Sequence, residues 1–185
     1  MIMMQQPALA INSDDVPGPK YIMWQTKSAP RGVEAGWTVS QILASNREAL
    51  YYHRSQLLNV VINCHGSDGS LAIGGRGAGG GHINSSNVGA FVSLKGLNIG
   101  TMWLVACEAA KGPAGKAFCQ TLSTLSGCQV VAADEEQDVG FWGGYRLLAG
   151  LHGQIDEFEG TVYRFTVVGG MQAIDPHKDI YTIKD

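Results

Sequence analysis

Two short stretches of this chain place reactive side chains at the end of an apolar run. "VVINCHGSDG", Val60 to Gly69, stops on Cys64 and His65 and passes into a turn-rich segment. "GTMWLVAC", Gly100 to Cys107, stops on Cys107. A cysteine acting as a nucleophile needs a base or an imidazolium nearby. A histidine on a neighbouring strand end meets that need and can then protonate a leaving amine. A tetrahedral intermediate also needs N–H donors aimed at its oxyanion. Gly66 allows close approach of its amide to a substrate, and the amide of Cys107 offers a second donor. The two segments therefore hold the parts for acyl transfer. Taken singly, each residue has a plainer role, His65 as a strand cap and Cys107 as a core cysteine. Their pairing on two strand ends is what favours chemistry. Cys64 alternates with His65 and so faces the core, which makes it the lesser candidate nucleophile.

Elements must hold these residues. Thr38 and Gln41 fit a capping box, and Val39, Ile42, Leu43 and Leu50, with Asn46, mark one helix face ending near His53. "QLLNVVINC" and "CQVVAA" flank Gly100–Cys107 as two more apolar runs with little alternation, the pattern of strands covered on both faces. Leu71–Ile73 predicts a short strand, and Ser85 or Ser86 is placed to cap a short helix through Leu94. Phe118, Leu122 and Leu125 mark an amphipathic helix with Gly127 after its end. "TVYRFTVVGG" predicts a late strand, and "KYIMWQ" an edge strand. The first 36 residues otherwise give no clear assignment. Alternating helices and strands imply a single α/β domain with a mainly parallel sheet and helices on both faces. In such sheets ligands bind beyond the carboxyl ends of the strands, where His65 and Cys107 lie.

A hydrophobic strand ending in His-Gly, followed by one ending in Ala-Cys, resembles the layout of caspase-like cysteine peptidases. The segments "NCHGSDGSLAIG" and "WLVACEAAKGPAGKAFCQTLS" are most similar to the bacterial branch, with its self-processing protease domains of large toxins. The 42-residue gap from His65 to Cys107 is near the roughly 50 of caspases. The resemblance covers about residues 57–134. It implies a three-layer caspase-like sandwich and a cysteine endopeptidase acting on polypeptides, either an effector or a self-processing protease. It also implies His65 as acid and base, Cys107 as nucleophile, and an oxyanion hole built from Gly66 and Cys107. The chain departs from the caspase signature in reading "VACEAAKG", with Glu108 after the cysteine, so aspartate specificity is not implied. With 13 basic and 16 acidic residues there is no evident basic patch for the phosphorylated inositol that switches on the toxin domains. Rival readings are a caspase-fold interaction module without chemistry and a cysteine hydrolase acting on a non-peptide amide.

Other features weigh less. Asp134, Glu135, Glu136 and Asp138 follow the third apolar run and read either as a solvated loop or as an acidic wall for a Lys or Arg side chain at P1, the residue before the scissile bond. Trp142 and Tyr145 read as cleft lining or as packing. "GGRGAGG" contains Gly75-x-Gly77-x-x-Gly80 but no following acidic residue at the dinucleotide distance, so a loop is the better reading. "GPAGKAF" is not a phosphate loop, and no GxSxG is present. The four cysteines form no CxxC pair and read as reduced thiols. The spacing of Cys64, His65, His82 and Cys107 does not select zinc, and His152 has no evident role, so neither metal nor organic cofactor is expected. A net charge of −3 argues against a nucleic-acid surface. No apolar run approaches the roughly 20 residues of a membrane helix. "MIMMQQPALAINSDD" lacks a basic n-region, which predicts a cytoplasmic protein or one delivered without a signal peptide.

Overall fold

The computed structural model describes residues 1–17, 20–23, 37–54, 56–73, 81–137 and 153–179. A six-stranded sheet spans most of the chain. In chain order its strands, and those of two smaller sheets, are β1 (Ile2–Met3), β2 (Ala8–Asn12), β3 (Leu57–Asn63), β4 (His65–Ser67), β5 (Ser70–Ile73), β6 (Gly81–Asn84), β7 (Ile99–Val105), β8 (Gln129–Ala133), β9 (Gln154–Ile155), β10 (Val162–Phe165) and β11 (Met171–Ala173). The helices are α1 (Val39–Tyr52), α2 (Gly112–Ser126) and the single turn α3 (Pro176–Asp179), with a 3-10 helix at Val88–Leu94. The main sheet has the order β11-β10-β8-β7-β3-β2. Strands β2, β3, β7 and β8 are parallel, while β10 and β11 complete the sheet in antiparallel fashion.

Local chemistry accounts for the helices. Thr38 caps α1 in the reciprocal box with Gln41, and His53 closes it. Gly127, at φ +72°, ends α2 in the left-handed conformation that favours glycine. Asn87, rather than either serine, precedes the 3-10 helix, because Ser86 instead turns its hydroxyl to Asn84 Oδ1 at 2.6 Å. "KYIMWQ" forms no strand over the described residues 20–23; the edge of the parallel sheet is β2, Ala8–Asn12.

Side chains of the central strands alternate between two cores. Leu9, Ile11, Val60, Ile62, Met102, Leu104, Val130 and Ala132 point to one face, where α1, the 3-10 helix and α2 pack through Ile42, Phe91 and Phe118. Ala8, Ala10, Val61, Trp103, Val105, Val131 and Ala133 point to the other. Ile2 and Ile155 of the β1–β9 ribbon cover that second face, with Met23, Tyr21, Phe158 and Ile174. Among the described residues the long helices pack on the first face, so the expectation of helices on both faces is met there on one face. Strand order advances one way from β2 through β3 and β7 to β8, and right-handed crossovers that keep advancing put their connections on one side. Among the described residues no helix is long and apolar enough to cross a membrane.

Candidate active site

The parallel strands end level with one another. Asn12 pairs with Asn63, and Asn63 with Val105, in one row at the carboxyl edge of the sheet. The residues just beyond that row therefore share a rim. They are Ser13–Asp15 after β2, Cys64–Gly66 after β3, Ala106–Cys107 after β7 and Asp134–Gln137 after β8. His65 opens β4, whose Ser67–Ser70 hairpin turns at Asp68-Gly69 with Gly69 at φ +82°. The tip of that hairpin rests on α2, so a β-carbon on Gly69 would lie 3.3 Å from the Ala114 carbonyl oxygen.

Gly66 and Cys107 meet through their backbones. A β-carbon on Gly66 would lie 2.4 Å from the Cys107 carbonyl oxygen, 2.9 Å from Ala106 Cβ and 3.2 Å from Cys107 N. The Cys64 N–H also donates to Val105 O at 3.2 Å. Among the described residues the Cys107 amide donates to no backbone carbonyl. The loop bearing Cys107 is tied to the end of β8, because Glu108 N donates to Glu135 O and Ala110 N to Ala133 O, both at 2.9 Å. These ties hold Glu108 at φ +54°, a left-handed conformation that non-glycine residues seldom adopt and that clusters at functional sites. The Cys107 thiol faces Gln137 O at 3.9 Å.

Of the four thiols, only Cys107 is not buried. Burial, with Asp15 and Cys107 adding to it, pushes the Cys64 thiol far above its ordinary range. Burial likewise raises Cys119 to about 12 and Cys128 to about 11. Burial thus disfavours the thiolate at all three, Cys64 included.

One partner of the histidine escaped the sequence reading. His65 Nε2 lies 3.3 Å from Asp15 Oδ2, on the loop after β2. The other candidates divide. Asp134 is committed to β10, with Oδ1 accepting from Thr161 N at 2.8 Å and Oδ2 from the Tyr163 hydroxyl at 3.2 Å. Glu135 and Glu136 are exposed on the loop that faces Cys107. Lys111 pairs with Glu108 in this region, and that carboxylate, with Asp68 and Glu136 beyond it, holds the ammonium above its usual value. Trp142, Tyr145, Asp138, His152 and the Gly75–Gly80 motif lie outside the described residues. His82 sits on β6 in register with His65 across Ala72, two strand spacings or about 10 Å away. Among the described residues no three His, Cys, Asp or Glu side chains converge to hold a metal ion.

Comparison with known families matches residues 38–150 to the model described as Domain of unknown function (DUF4347). That span exceeds half of the 185 residues, and the chain belongs to this family. It contains His65, Gly66 and Cys107; Asp15 precedes it. No curated protein and no solved structure matches the chain.

Proposed function

We propose that this member of the DUF4347 family is a cysteine endopeptidase of caspase-like architecture, with Cys107 and His65 as its reacting pair. The observation that carries the reading is the backbone contact between Gly66 and Cys107, which fixes the histidine segment against the nucleophile's own peptide unit. In the first step the Cys107 thiol proton passes to His65 while sulfur bonds to the peptide carbonyl carbon. The carbonyl electron pair moves to oxygen, where the amides of Gly66 and Cys107 donate to it. Collapse breaks the C–N bond, and the amine leaves with the proton from His65. Water, deprotonated by the same imidazole, then hydrolyses the thioester. No resident metal or organic cofactor enters this scheme.

The substrate is a polypeptide whose P1 side chain meets the loop after β8. Glu135 and Glu136 favour Lys or Arg there, whereas Asp134 serves to hold that loop on β10. The test is covalent capture by a panel of peptidyl acyloxymethyl ketones, read by intact mass and peptide mapping. Wild type is expected to gain a single adduct at Cys107. Replacing His65 by Ala should slow capture by roughly 10²–10⁴-fold. Adducts spread over the other cysteines, or none at Cys107, would overturn the proposal.

A further inference from the structure

We infer that Asp15 is the positioning residue of this site: its carboxylate, carried on a lysine-capped loop, fixes which nitrogen of His65 exchanges a proton with Cys107. The inference rests on the reading of His65 and Cys107 as a working pair. It starts from the 3.3 Å approach of Asp15 Oδ2 to His65 Nε2. A carboxylate accepts hydrogen bonds and does not donate them, so the neutral imidazole beside it carries its proton on Nε2. Nδ1 is then the nitrogen that takes the thiol proton. The same carboxylate holds the ring in that orientation through the transfer.

The loop is built to hold Asp15 in place. Ser13 N continues the sheet by donating to Asn63 O at 2.8 Å, and the Ser13 hydroxyl donates to Asp15 Oδ1. Lys20 Nζ donates to the carbonyls of Ser13, Asp14 and Val16 at 2.6, 3.0 and 2.8 Å, gathering the turn around one ammonium group. Asn12 closes the base of the loop. Its Oδ1 accepts from Tyr21 N at 2.9 Å and from Asn63 Nδ2 at 3.1 Å, and its Nδ2 donates to Tyr21 O at 2.9 Å. Asn12 and Ser13 are buried, whereas Asp15 keeps about a third of its side chain exposed, 34 %. A loop serving packing alone has no need to turn a carboxylate out of this frame toward an imidazole. Among the described residues, the titratable groups on the segments around His65 are Asp14, Asp15 and Lys20 after β2, Cys64 and Asp68 on its own segment, His82 on β6, and Cys107 and Glu108 after β7. Of these, Asp15 is the one in ion-pair contact with the ring.

The test needs no known substrate. Alkylation of Cys107 by iodoacetamide is followed by peptide mass spectrometry from pH 6 to pH 9.5 in wild type, Asp15→Asn, Asp15→Glu and Lys20→Met. Asp15→Asn should slow the reaction at pH 7 by roughly tenfold or more, the low end of what losing a histidine's outer partner costs. At pH 9.5 its rate should stay within about twofold of wild type. Asp15→Glu should recover most of the loss, and Lys20→Met should fall between. Long-range ¹H–¹⁵N spectra of the wild type, with His65 assigned by His65→Gln, should show the Nε2-protonated tautomer. Superimposable profiles for Asp15→Asn and wild type, failure of Asp15→Glu to recover, or an Nδ1-protonated ring would overturn the role of Asp15 alone. A wild-type Cys107 no faster at pH 7 than free cysteine would overturn the Cys107–His65 pair and this inference with it.

Discussion

Gly66 shows how tightly a single residue can be specified by what lies across from it. The atoms a β-carbon would strike are the Cys107 carbonyl oxygen and Ala106 Cβ, neither of which is the free end of a flexible side chain. Relief would need the backbone of β4 or of the Cys107 loop to move. Overpacking of this kind costs about 1–3 kcal/mol. Gly66→Ala should lose that much stability in urea denaturation and should also slow the labelling of Cys107, because the same movement separates His65 from the thiol. Gly89, which has nothing within 4 Å of its added β-carbon, is the matched control and should tolerate alanine. Equal behaviour of the two variants would contradict the close approach. The requirement at Gly66 was legible in the sequence only as a Gly after a His; the atom it must avoid belongs to a residue 41 positions later.

Elements divide by how local their signals are. α1 was readable to within a residue because its cap, its box and its apolar stripe all lie within the helix. β3, β7 and β8 were readable because buried parallel strands are continuous apolar runs. β2 was not, since "ALAIN" is only five residues long and alanine is a weak strand former. Yet it carried a usable sign: Ile11-Asn12-Ser13 ahead of Asp15 echoes Ile62-Asn63-Cys64 ahead of His65. Finding β2 would have placed Asp15 on the same rim. α2 adds a pH-linked prediction through Cys119 on its inner face. Burial holds that thiol at about 12 against an ordinary value of 9.0. As pH rises past 9 the unfolded chain loses this proton first, so the native state binds more protons and stability falls toward the folded value. Each such thiol steepens the loss by up to about 1.4 kcal/mol per pH unit. Denaturation of Cys119→Ala between pH 9 and 11, under reducing conditions, should show a slope shallower by about that amount than wild type. An unchanged slope would contradict the burial of the thiol.

At the scale of the whole molecule, three one-way crossovers deliver four strand-end loops to one rim, and among the described residues their helices pack on one face of the sheet. The sheet supplies rigidity through continuous rows such as Asn12–Asn63–Val105, and the loops beyond them carry the proposed reacting pair. The sequence reading reached the parallel sheet and the shared rim because both follow from the order of elements. It did not reach the order of the strands, because that order depends on contacts distant in sequence. The central claim, that the rim hydrolyses peptide bonds through Cys107, is tested most directly by digesting a proteome-derived peptide library with wild type and with Cys107→Ala. The account predicts new peptide ends with wild type alone, with Lys or Arg favoured before the cut. Cleavage that persists in Cys107→Ala, or a wild type that cuts nothing, would contradict it.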